Sequence, residues 1–196
     1  MKISVVGNIG TGKTTLLQTL GVQHRIPVFL EPVNDWSEWL KLFYQDNARW
    51  SFSFNMKVLT SFMGWRKNDY VALYERSPMC VKYVFSENQR RAGMMNALEY
   101  ELFETMYQEL AWEPDVLIYI RTPPEVCMER MQVRGRDSEK NVPLEYIKQI
   151  HDLYESMCAH ALENKKQRVF IVDGNQTKEA VFHEASRILS QLAEKK

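Results

Sequence analysis

The chain has 196 residues, a length that suits one domain with a sizeable core. Lysine plus arginine and aspartate plus glutamate number 25 each, so the net charge is zero and argues against a general nucleic-acid-binding protein. No apolar run reaches the roughly 20 residues that span a bilayer. Three scattered cysteines without metal-ligand spacing indicate buried thiols in a reducing compartment, so we expect a cytoplasmic protein. From the charge balance and the short apolar runs, we expect no nucleic-acid or membrane partner.

Short runs rich in valine and isoleucine alternate with longer segments of helical period, which is typical of a parallel sheet covered by helices. Strands are predicted at residues 2–6, 26–30, 70–75, 115–120 and 168–172. Helices are predicted near residues 13–20, 35–44, 49–67, 78–91, 97–112, 124–134, 143–164 and 178–194. These elements predict a doubly wound α/β fold, in which five parallel strands carry helices on both faces.

The segment GNIGTGKT at residues 7–14 fits the pattern GxxxxGK[ST] and lies between the first predicted strand and helix. Glycines here let backbone N–H groups point at phosphate oxygens, helped by the positive end of the following helix. Lys13 would neutralise the β- and γ-phosphates, and Thr14 would offer its hydroxyl to Mg²⁺. We therefore expect ATP and Mg²⁺ to bind at a phosphate loop made of Gly7, Asn8, Ile9, Gly10, Thr11, Gly12, Lys13, Thr14 and Thr15.

The phosphate loop alone does not decide the reaction, because switches, motors and small-molecule kinases all carry it. The guanine reader NKxD of a GTP switch has only a near match at residues 164–167, which lacks the acidic residue. The third predicted strand ends in Glu75 and Arg76, and an arginine beside that acid indicates an anionic reaction centre. Glu31 follows the second predicted strand, where it could accept a proton from an attacking hydroxyl. A solvated loop carboxylate or a helix cap is the alternative for Glu31.

A charged segment at residues 134–141 lies between two predicted helices and is the candidate for a mobile lid. Arg130 and Arg134 are four residues apart and share a helix face, and Arg136 follows in the loop. Guanidinium groups with this spacing can close over a triphosphate, while a surface helix with ordinary charges is the alternative. Together with the phosphate loop and Glu31, these arginines form a consistent set for phosphoryl transfer.

Six motifs follow one another over nearly the whole chain: GNIGTGKTT from Gly7, EPVNDW from Glu31, RWSFSFN from Arg49, YERSPMCVKYVF from Tyr74, RMQVRGRDSE from Arg130 and VPLEYIKQIHDLYESM from Val142. In this order they resemble the deoxyribonucleoside kinases, which include deoxycytidine, deoxyguanosine and mitochondrial thymidine kinases and, more distantly, the herpesvirus thymidine kinases. The resemblance implies a P-loop kinase fold with an arginine-rich lid, a homodimer, and transfer of the ATP γ-phosphate to the 5′-hydroxyl of a deoxynucleoside.

The resemblance also implies roles at the phosphate end of the site. Glu31 matches the general base for the 5′-hydroxyl, and Arg76 matches the arginine that holds this carboxylate and the transferring phosphate. Glu75 is similar to the acid that contacts Mg²⁺ through water, so Thr14 and Glu75 are the candidate metal residues. The lid arginines of the family match Arg130, Arg134 and Arg136.

In the substrate pocket, the resemblance implies contacts to the sugar and to the base. Tyr44 and Glu139 fall where the family grips the sugar 3′-hydroxyl. Trp36 falls where an aromatic side chain shapes the base pocket, and Phe85 is similar to the ring that stacks on the base. From the residues alone, each of these aromatic side chains is as readily explained as core.

Two departures from the family pattern bear on the base. Asn55 stands where a glutamine usually reads the base, and its shorter amide would sit deeper or need a differently placed base. A helix-face asparagine is the alternative for Asn55. Phe62 and Val81 stand where cytidine and purine kinases carry a paired arginine and aspartate. An apolar pocket there leaves room for a thymine 5-methyl group, which favours thymidine or another pyrimidine.

Two other functions stay open from the sequence. A nucleoside monophosphate kinase, such as a thymidylate kinase, shares the phosphate loop and the lid. Glu31 argues against it, because a carboxylate beside the acceptor repels one that already bears a phosphate. A phosphate-loop module that binds ATP without transferring it would turn over slowly and without regard to any nucleoside.

Overall fold

A computed structural model describes residues 1–136 and 139–194, so Asp137 and Ser138 of the predicted lid lie outside the described residues. Its sheet has five parallel strands in the order β2-β3-β1-β4-β5. The strands are β1 (Lys2–Val6), β2 (Val28–Phe29), β3 (Ala72–Glu75), β4 (Val116–Arg121) and β5 (Arg168–Asp173). The predicted fold class is confirmed. Strand β2 is shorter than predicted, because it lies at an edge of the sheet and pairs only with β3.

The helices connect these strands in the predicted order. They are α1 (Lys13–His24), α2 (Ser37–Gln45), α3 (Asn47–Phe62), α4 (Pro78–Cys80), α5 (Glu87–Arg91), α6 (Ala97–Leu110), α7 (Pro124–Arg134), α8 (Leu144–Asn164) and α9 (Lys178–Glu194). Short 3₁₀ turns precede α2 at Val33–Trp36 and follow α3 at Met63–Trp65. Gly64 in the second turn disfavours the longer helix predicted there.

Local chemistry explains several helix starts. Pro78 and Pro124 stand in the first turn of α4 and α7, where a missing N–H costs no helical hydrogen bond. The side chain of Asp46 caps α3 by accepting a hydrogen bond from the Arg49 N–H, 3.0 Å away. These starts fix where each helix leaves the sheet and therefore which side chains face the site.

The predicted helix at residues 78–91 is interrupted in its middle. Residues Val81–Ser86 form a π-helical turn between α4 and α5. Such turns are rare and are often found at functional sites, because the wider turn changes which side chains share a face. Here Val81 packs with Trp36 in the aromatic cluster of α3, whereas Phe85 packs against the cluster that contains α8.

Alternate residues of the central strands point to opposite faces of the sheet, so both faces are apolar. Ile3, Val5 and Ile118 pack with α1 and α9 on one face. Leu117 and Tyr119 pack with α8 on the other. A further core cluster of aromatic side chains joins α3 and α6 to β3. The sheet is therefore held on both sides, and the carboxyl ends of its strands remain open for a site.

Two further predictions concern burial and the membrane. Cys80, Cys127 and Cys158 are buried free thiols, as predicted. Among the helices of residues 1–136 and 139–194, none is both long enough and apolar enough to cross a lipid bilayer.

Candidate functional site

The phosphate loop leaves the carboxyl end of β1 and enters α1 at Lys13. Gly10 has φ of 84°, and a Cβ atom there would lie 2.5 Å from the Cys127 carbonyl oxygen. Gly12 has φ of 88° and is the residue that precedes α1. Both conformations strain any residue with a side chain, so the curled loop requires glycine at these two places. Around them, Ile9 packs against an apolar cluster that includes Cys127 and Met131 of α7, and Thr15 lies exposed on α1.

The side chain of Asn8 ties the loop to helix α8. Its amide Nδ2 donates to the Ile147 carbonyl oxygen over 2.7 Å, and its Oδ1 accepts from the Ile9 N–H over 2.8 Å. Asn8 and Thr11 are both buried. The loop is consequently held in shape by the protein itself, before any ligand is considered.

Lys13 is buried, and its ammonium group turns back into the loop. Nζ donates to the Asn8 carbonyl oxygen at 2.6 Å and to the Thr11 hydroxyl at 3.4 Å. Burial and the nearby Arg76 charge lower the pKa of Lys13 to about 8, while Glu75 and Glu31 raise it in part. An anionic ligand in the loop would stabilise the charged form of this lysine.

Thr14 and Glu75, the two predicted metal residues, are in direct contact. The Thr14 hydroxyl donates to Oε1 of Glu75 over 2.8 Å. Within the described ranges there is no group of three or more His, Cys, Asp or Glu side chains that could hold a metal ion. One hydroxyl and one carboxylate are oxygen donors that suit Mg²⁺ when the nucleotide phosphates provide further ligands. The pair therefore fits a magnesium ion shared with a nucleotide.

Glu31 and Arg76 form the central ion pair of the site. Arg76 Nη1 donates to Glu31 Oε2, and both side chains are less than 10% exposed. Arg76 Nε donates to the hydroxyl of Tyr154 on α8, 3.0 Å away. Burial raises the pKa of Glu31, with a further rise from Glu75 and a partial reduction by Arg76. A buried carboxylate that is held in place and has a raised pKa can act as a base.

The backbone of Arg76 is in the left-handed region, with φ of 61°. This conformation costs about 1–3 kcal/mol in a residue with a side chain and concentrates at functional sites. Neighbouring β1 holds the turn, because the Arg76 N–H donates to the Val5 carbonyl oxygen at 3.0 Å. The Ser4 hydroxyl donates to the Arg76 carbonyl oxygen at 2.7 Å. The turn aims the guanidinium group across the strand ends toward Glu31.

The predicted base-pocket aromatics lie beside this ion pair and in the core. The Arg76 guanidinium lies 5.1 Å from the ring centre of Phe85. Trp36 is buried, with its ring centre 5.7 Å from that of Phe54. Phe62 and Val81 are buried in the same apolar cluster as Trp36. Phe85 thus faces the reaction centre, whereas Val81 provides an apolar wall.

Tyr44 and Glu139, the predicted sugar-binding pair, interact electrostatically. Burial raises the pKa of Tyr44 to about 12, and the charge of Glu139 contributes to the rise. Glu139 accepts from Arg134 Nη2 at 2.5 Å and from Arg136 Nη1 at 3.5 Å. Two of the predicted lid arginines are thereby paired with Glu139. The third, Arg130, donates to the Gly174 carbonyl oxygen at 3.0 Å beyond β5, so the three do not converge in this structure.

A cavity of about 740 Å³ lies between α2, α5 and the residues that follow the lid. Its walls include Phe43, Tyr44, Gln89, Val142 and Tyr146. The ion pair of Glu31 and Arg76 lies outside these walls, at the strand ends. The volume is in the range of small-molecule sites.

Asn55, the predicted base reader, is buried and its amide is engaged within the protein. Nδ2 donates to the Ser51 carbonyl oxygen at 2.8 Å and to Oε1 of Gln89 at 2.5 Å. Gln89 was not singled out from the sequence, although it follows Phe85 by four residues. Tyr154, the partner of Arg76, was also missed, because it lies within a periodic apolar stripe of α8 that indicates core.

Comparisons with known proteins identify the family of the chain. The family model for deoxynucleoside kinases matches residues 3–195. Mitochondrial thymidine kinase 2 of Macaca fascicularis is 36% identical over 165 residues, which are 78% of this chain and 62% of that protein. The chain thus spans less than two thirds of that relative. Deoxycytidine kinase of Rattus norvegicus is 30% identical over 196 residues, covering 81% of this chain and 75% of that protein.

Among solved structures, a deoxyadenosine kinase from M. mycoides with bound dCTP has a TM-score of 0.87 and 20% sequence identity. The likeness covers 97% of this chain and 100% of that one, and it shows the fold. The family match extends over nearly the whole sequence and includes the phosphate loop, the Glu31–Arg76 pair and the lid. The chain therefore belongs to the deoxynucleoside kinase family.

Proposed function

We propose that this protein transfers the γ-phosphate of ATP to the 5′-hydroxyl of a deoxynucleoside, with thymidine or another pyrimidine as the favoured acceptor. The observation that carries the proposal is the buried pair of Glu31 and Arg76 at the strand ends, beside Lys13. Phosphoryl transfer to an alcohol requires positioning, balance of phosphate charge and one proton acceptor. The three side chains provide these functions in one place.

Glu31 takes the proton of the attacking hydroxyl. Its raised pKa makes the carboxylate a better proton acceptor than an exposed glutamate, and Arg76 keeps it ionised and oriented. Arg76 is in turn held by the hydroxyl of Tyr154 on α8. A carboxylate at this place repels an acceptor that already carries a phosphate, but it does not repel a neutral alcohol. This supports a nucleoside over a nucleotide as acceptor.

The phosphates of ATP are held by the loop N–H groups and by Lys13. The loop is already curled by Gly10 and Gly12, so binding requires little reorganisation. Thr14 and Glu75 would hold Mg²⁺, which would supply positive charge to offset that of the phosphates. Arg130, Arg134 and Arg136 add positive charge around the triphosphate when the lid closes, and closure excludes water from the transfer.

The sugar and base occupy the cleft between α2, α3 and α5. Tyr44 donates to the 3′-hydroxyl, since its raised pKa keeps the phenol protonated, and Glu139 accepts from the same group. Phe85 stacks on the base, and Trp36 and Val81 close the pocket with apolar surface. The apolar pair Phe62 and Val81 supports a pyrimidine with a methyl group over a purine.

The exposed face of α6 supports a homodimer. Leu98 and Leu102 are four residues apart on one face, with 77% and 50% of their surface exposed. Large apolar side chains exposed side by side are typical of an association surface. Sedimentation velocity of the protein over a range of concentrations measures this property independently of the reaction.

The test of the reaction is an acceptor survey. Purified protein with MgATP is offered each of the four deoxynucleosides and thymidine monophosphate, and each phosphorylated product is quantified. Conversion of thymidine ahead of the purine nucleosides is the expected result. Conversion of the monophosphate alone would identify a nucleotide kinase. Slow ATP hydrolysis that no acceptor stimulates would leave only an ATP-binding module.

A further inference from the structure

A hydrogen-bonded pair of amides spans helices α3 and α5 at the inner end of the cleft. Asn55 Nδ2 donates to two oxygens, the Ser51 carbonyl of its own helix and Oε1 of Gln89. The two amides are only 2% exposed. A backbone carbonyl oxygen can only accept, so it fixes the Asn55 amide with its nitrogen toward Ser51. Because Asn55 Nδ2 can only donate, the atom of Gln89 that it contacts must be the acceptor Oε1. The orientation of both amides is therefore determined.

This arrangement leaves one acceptor and one donor for a ligand. Both hydrogens of Asn55 Nδ2 are used within the protein, and Oδ1 remains as the acceptor. In Gln89, Oε1 is occupied and Nε2 remains as the donor. Across residues 1–136 and 139–194, neither Asn55 Oδ1 nor Gln89 Nε2 has a hydrogen-bond partner. A ligand that presents a donor beside an acceptor would complete this pair.

Gln89 lies in the wall of the cleft that the proposed nucleoside would occupy. Gln89 lines the 740 Å³ cavity together with Tyr44. The preceding turn of the chain carries Phe85, whose ring contacts Arg76 of the reaction centre. A nucleoside whose 5′-hydroxyl meets Glu31 and whose ring stacks on Phe85 would direct its far edge toward this pair.

We propose that Gln89 is a specificity-determining residue that donates from Nε2 to a carbonyl oxygen of the base, while Asn55 accepts from the neighbouring N–H and fixes the Gln89 amide. The proposal rests on the proposed nucleoside kinase function and deepens it. Asn55 alone offers only an acceptor, because its Nδ2 donates within the protein, and Gln89 from α5 provides the missing donor.

The fixed order of acceptor and donor favours a base in which an N–H group lies beside a carbonyl oxygen. Thymine presents N3–H between two carbonyl oxygens, so with N3–H on Asn55 either neighbouring oxygen can accept from Gln89. Cytosine has an acceptor at N3, which would face the Asn55 oxygen, and it fits only if its amino group takes that place. When the sugar and the Phe85 ring hold the base in one position, the pair therefore favours thymine or uracil, because cytosine must shift by one ring position to satisfy it.

The experiment compares Gln89→Leu with wild type on thymidine, deoxycytidine and 3-methylthymidine, which lacks the N3–H. The leucine removes the amide and keeps a similar volume. We expect kcat/KM for thymidine to fall about 10- to 100-fold, mainly through KM, since one hydrogen bond is lost and a base oxygen is left unpaired. The KM for ATP stays unchanged. The preference for thymidine over deoxycytidine falls by at least fivefold. Gln191→Leu, an exposed glutamine on α9, is the matched control and changes neither value.

A second variant separates base reading from support of the fold. In Asn55→Gln with Gln89→Leu, the longer amide at position 55 extends by one methylene toward the place of the missing amide. We expect it to recover thymidine activity relative to Gln89→Leu. Equal losses for all three nucleosides, a parallel loss of ATP affinity, or no change in Gln89→Leu would overturn the inference and leave the kinase function standing.

Thymidine binding by calorimetry distinguishes a failure of the inference from a failure of the function. If wild type phosphorylates no nucleoside, the proposed function is wrong. The binding constants for thymidine then show separately whether Gln89 contacts the base. Thymidine that binds wild type at least tenfold more tightly than Gln89→Leu supports the inference. Equal binding by the two proteins, or binding by neither, overturns it.

Discussion

At the phosphate end of the cleft, residues 7–15 provide the loop, and the ends of β2 and β3 add Glu31, Glu75 and Arg76. At the base end, the polar contact joins Asn55 on α3 to Gln89 on α5, 34 positions later in the chain. The first region is built from strand ends that a parallel sheet necessarily brings to one edge. The second depends on how two helices pack. The phosphate end is therefore expected to act alike on every acceptor, and the base end to distinguish among them.

The largest effect expected at the phosphate end follows from Glu31→Gln. The variant keeps the shape and loses the proton acceptor, so kcat falls roughly 10³-fold for every nucleoside alike, a typical contribution of a general base. The KM for ATP stays close to the wild-type value. Steady-state kinetics with thymidine and deoxycytidine measures both quantities. Glu163→Gln, an exposed glutamate at the end of α8, is the control. A fall confined to one nucleoside would place Glu31 in substrate selection instead.

Arg76→Lys tests whether the arginine is needed for its shape as well as its charge. Lysine retains a positive charge but cannot donate to Glu31 and to Tyr154 together. We expect kcat to fall about 10²-fold, comparable with the loss of one preorganised donor. Arg121→Lys is the matched control, since Arg121 ends strand β4 and pairs with Glu155 outside the site. Equal effects of the two substitutions would contradict the assignment.

Thr14→Val tests the magnesium contact. Valine keeps the branched shape and removes the hydroxyl that contacts Glu75. We expect ATP affinity at saturating Mg²⁺ to fall roughly 30-fold, as for one hydrogen bond to a charged group. Thr14→Ser retains the hydroxyl and should bind as wild type. Titration of ATP at several Mg²⁺ concentrations gives the result. If valine leaves the Mg²⁺ dependence unaltered, Thr14 is not a metal residue.

The pH dependence of ATP binding gives the smallest expected effect. The pKa of Lys13 in the free protein is about 8, and phosphate binding requires the charged form and raises this pKa. The affinity for MgATP is therefore constant below pH 7 and falls as pH rises above 8, by about tenfold at pH 9, since about one lysine in ten is then protonated. Calorimetry in two buffers of different ionisation enthalpy should show proton uptake on binding at pH 8. Lys13→Arg should show no uptake, and uptake by that variant would assign the effect to another group.

The sequence determined the architecture and the phosphate end. The pattern of apolar residues along the sequence located every strand and the order of the helices. Buried strands show short continuous apolar runs, whereas helices repeat their apolar residues every three to four positions. The GxxxxGK[ST] pattern located the loop, because its chemistry is carried by consecutive backbone groups. Sheet geometry placed Glu31 and Arg76 at the same edge, and the resemblance to the family implied that they pair.

The tertiary structure decided what depends on distant packing. The π-helical turn at Val81–Ser86 and the left-handed backbone of Arg76 are local, yet neighbouring elements hold them, and no residue type in the sequence requires them. The hydrogen bond of Arg76 to Tyr154 joins β3 to α8 through a side chain that the sequence indicated as core. The contact of Asn55 with Gln89 exists because α3 packs against the π-helical turn that leads into α5, and hydrogen-bond partners of this kind have no fixed spacing in the chain.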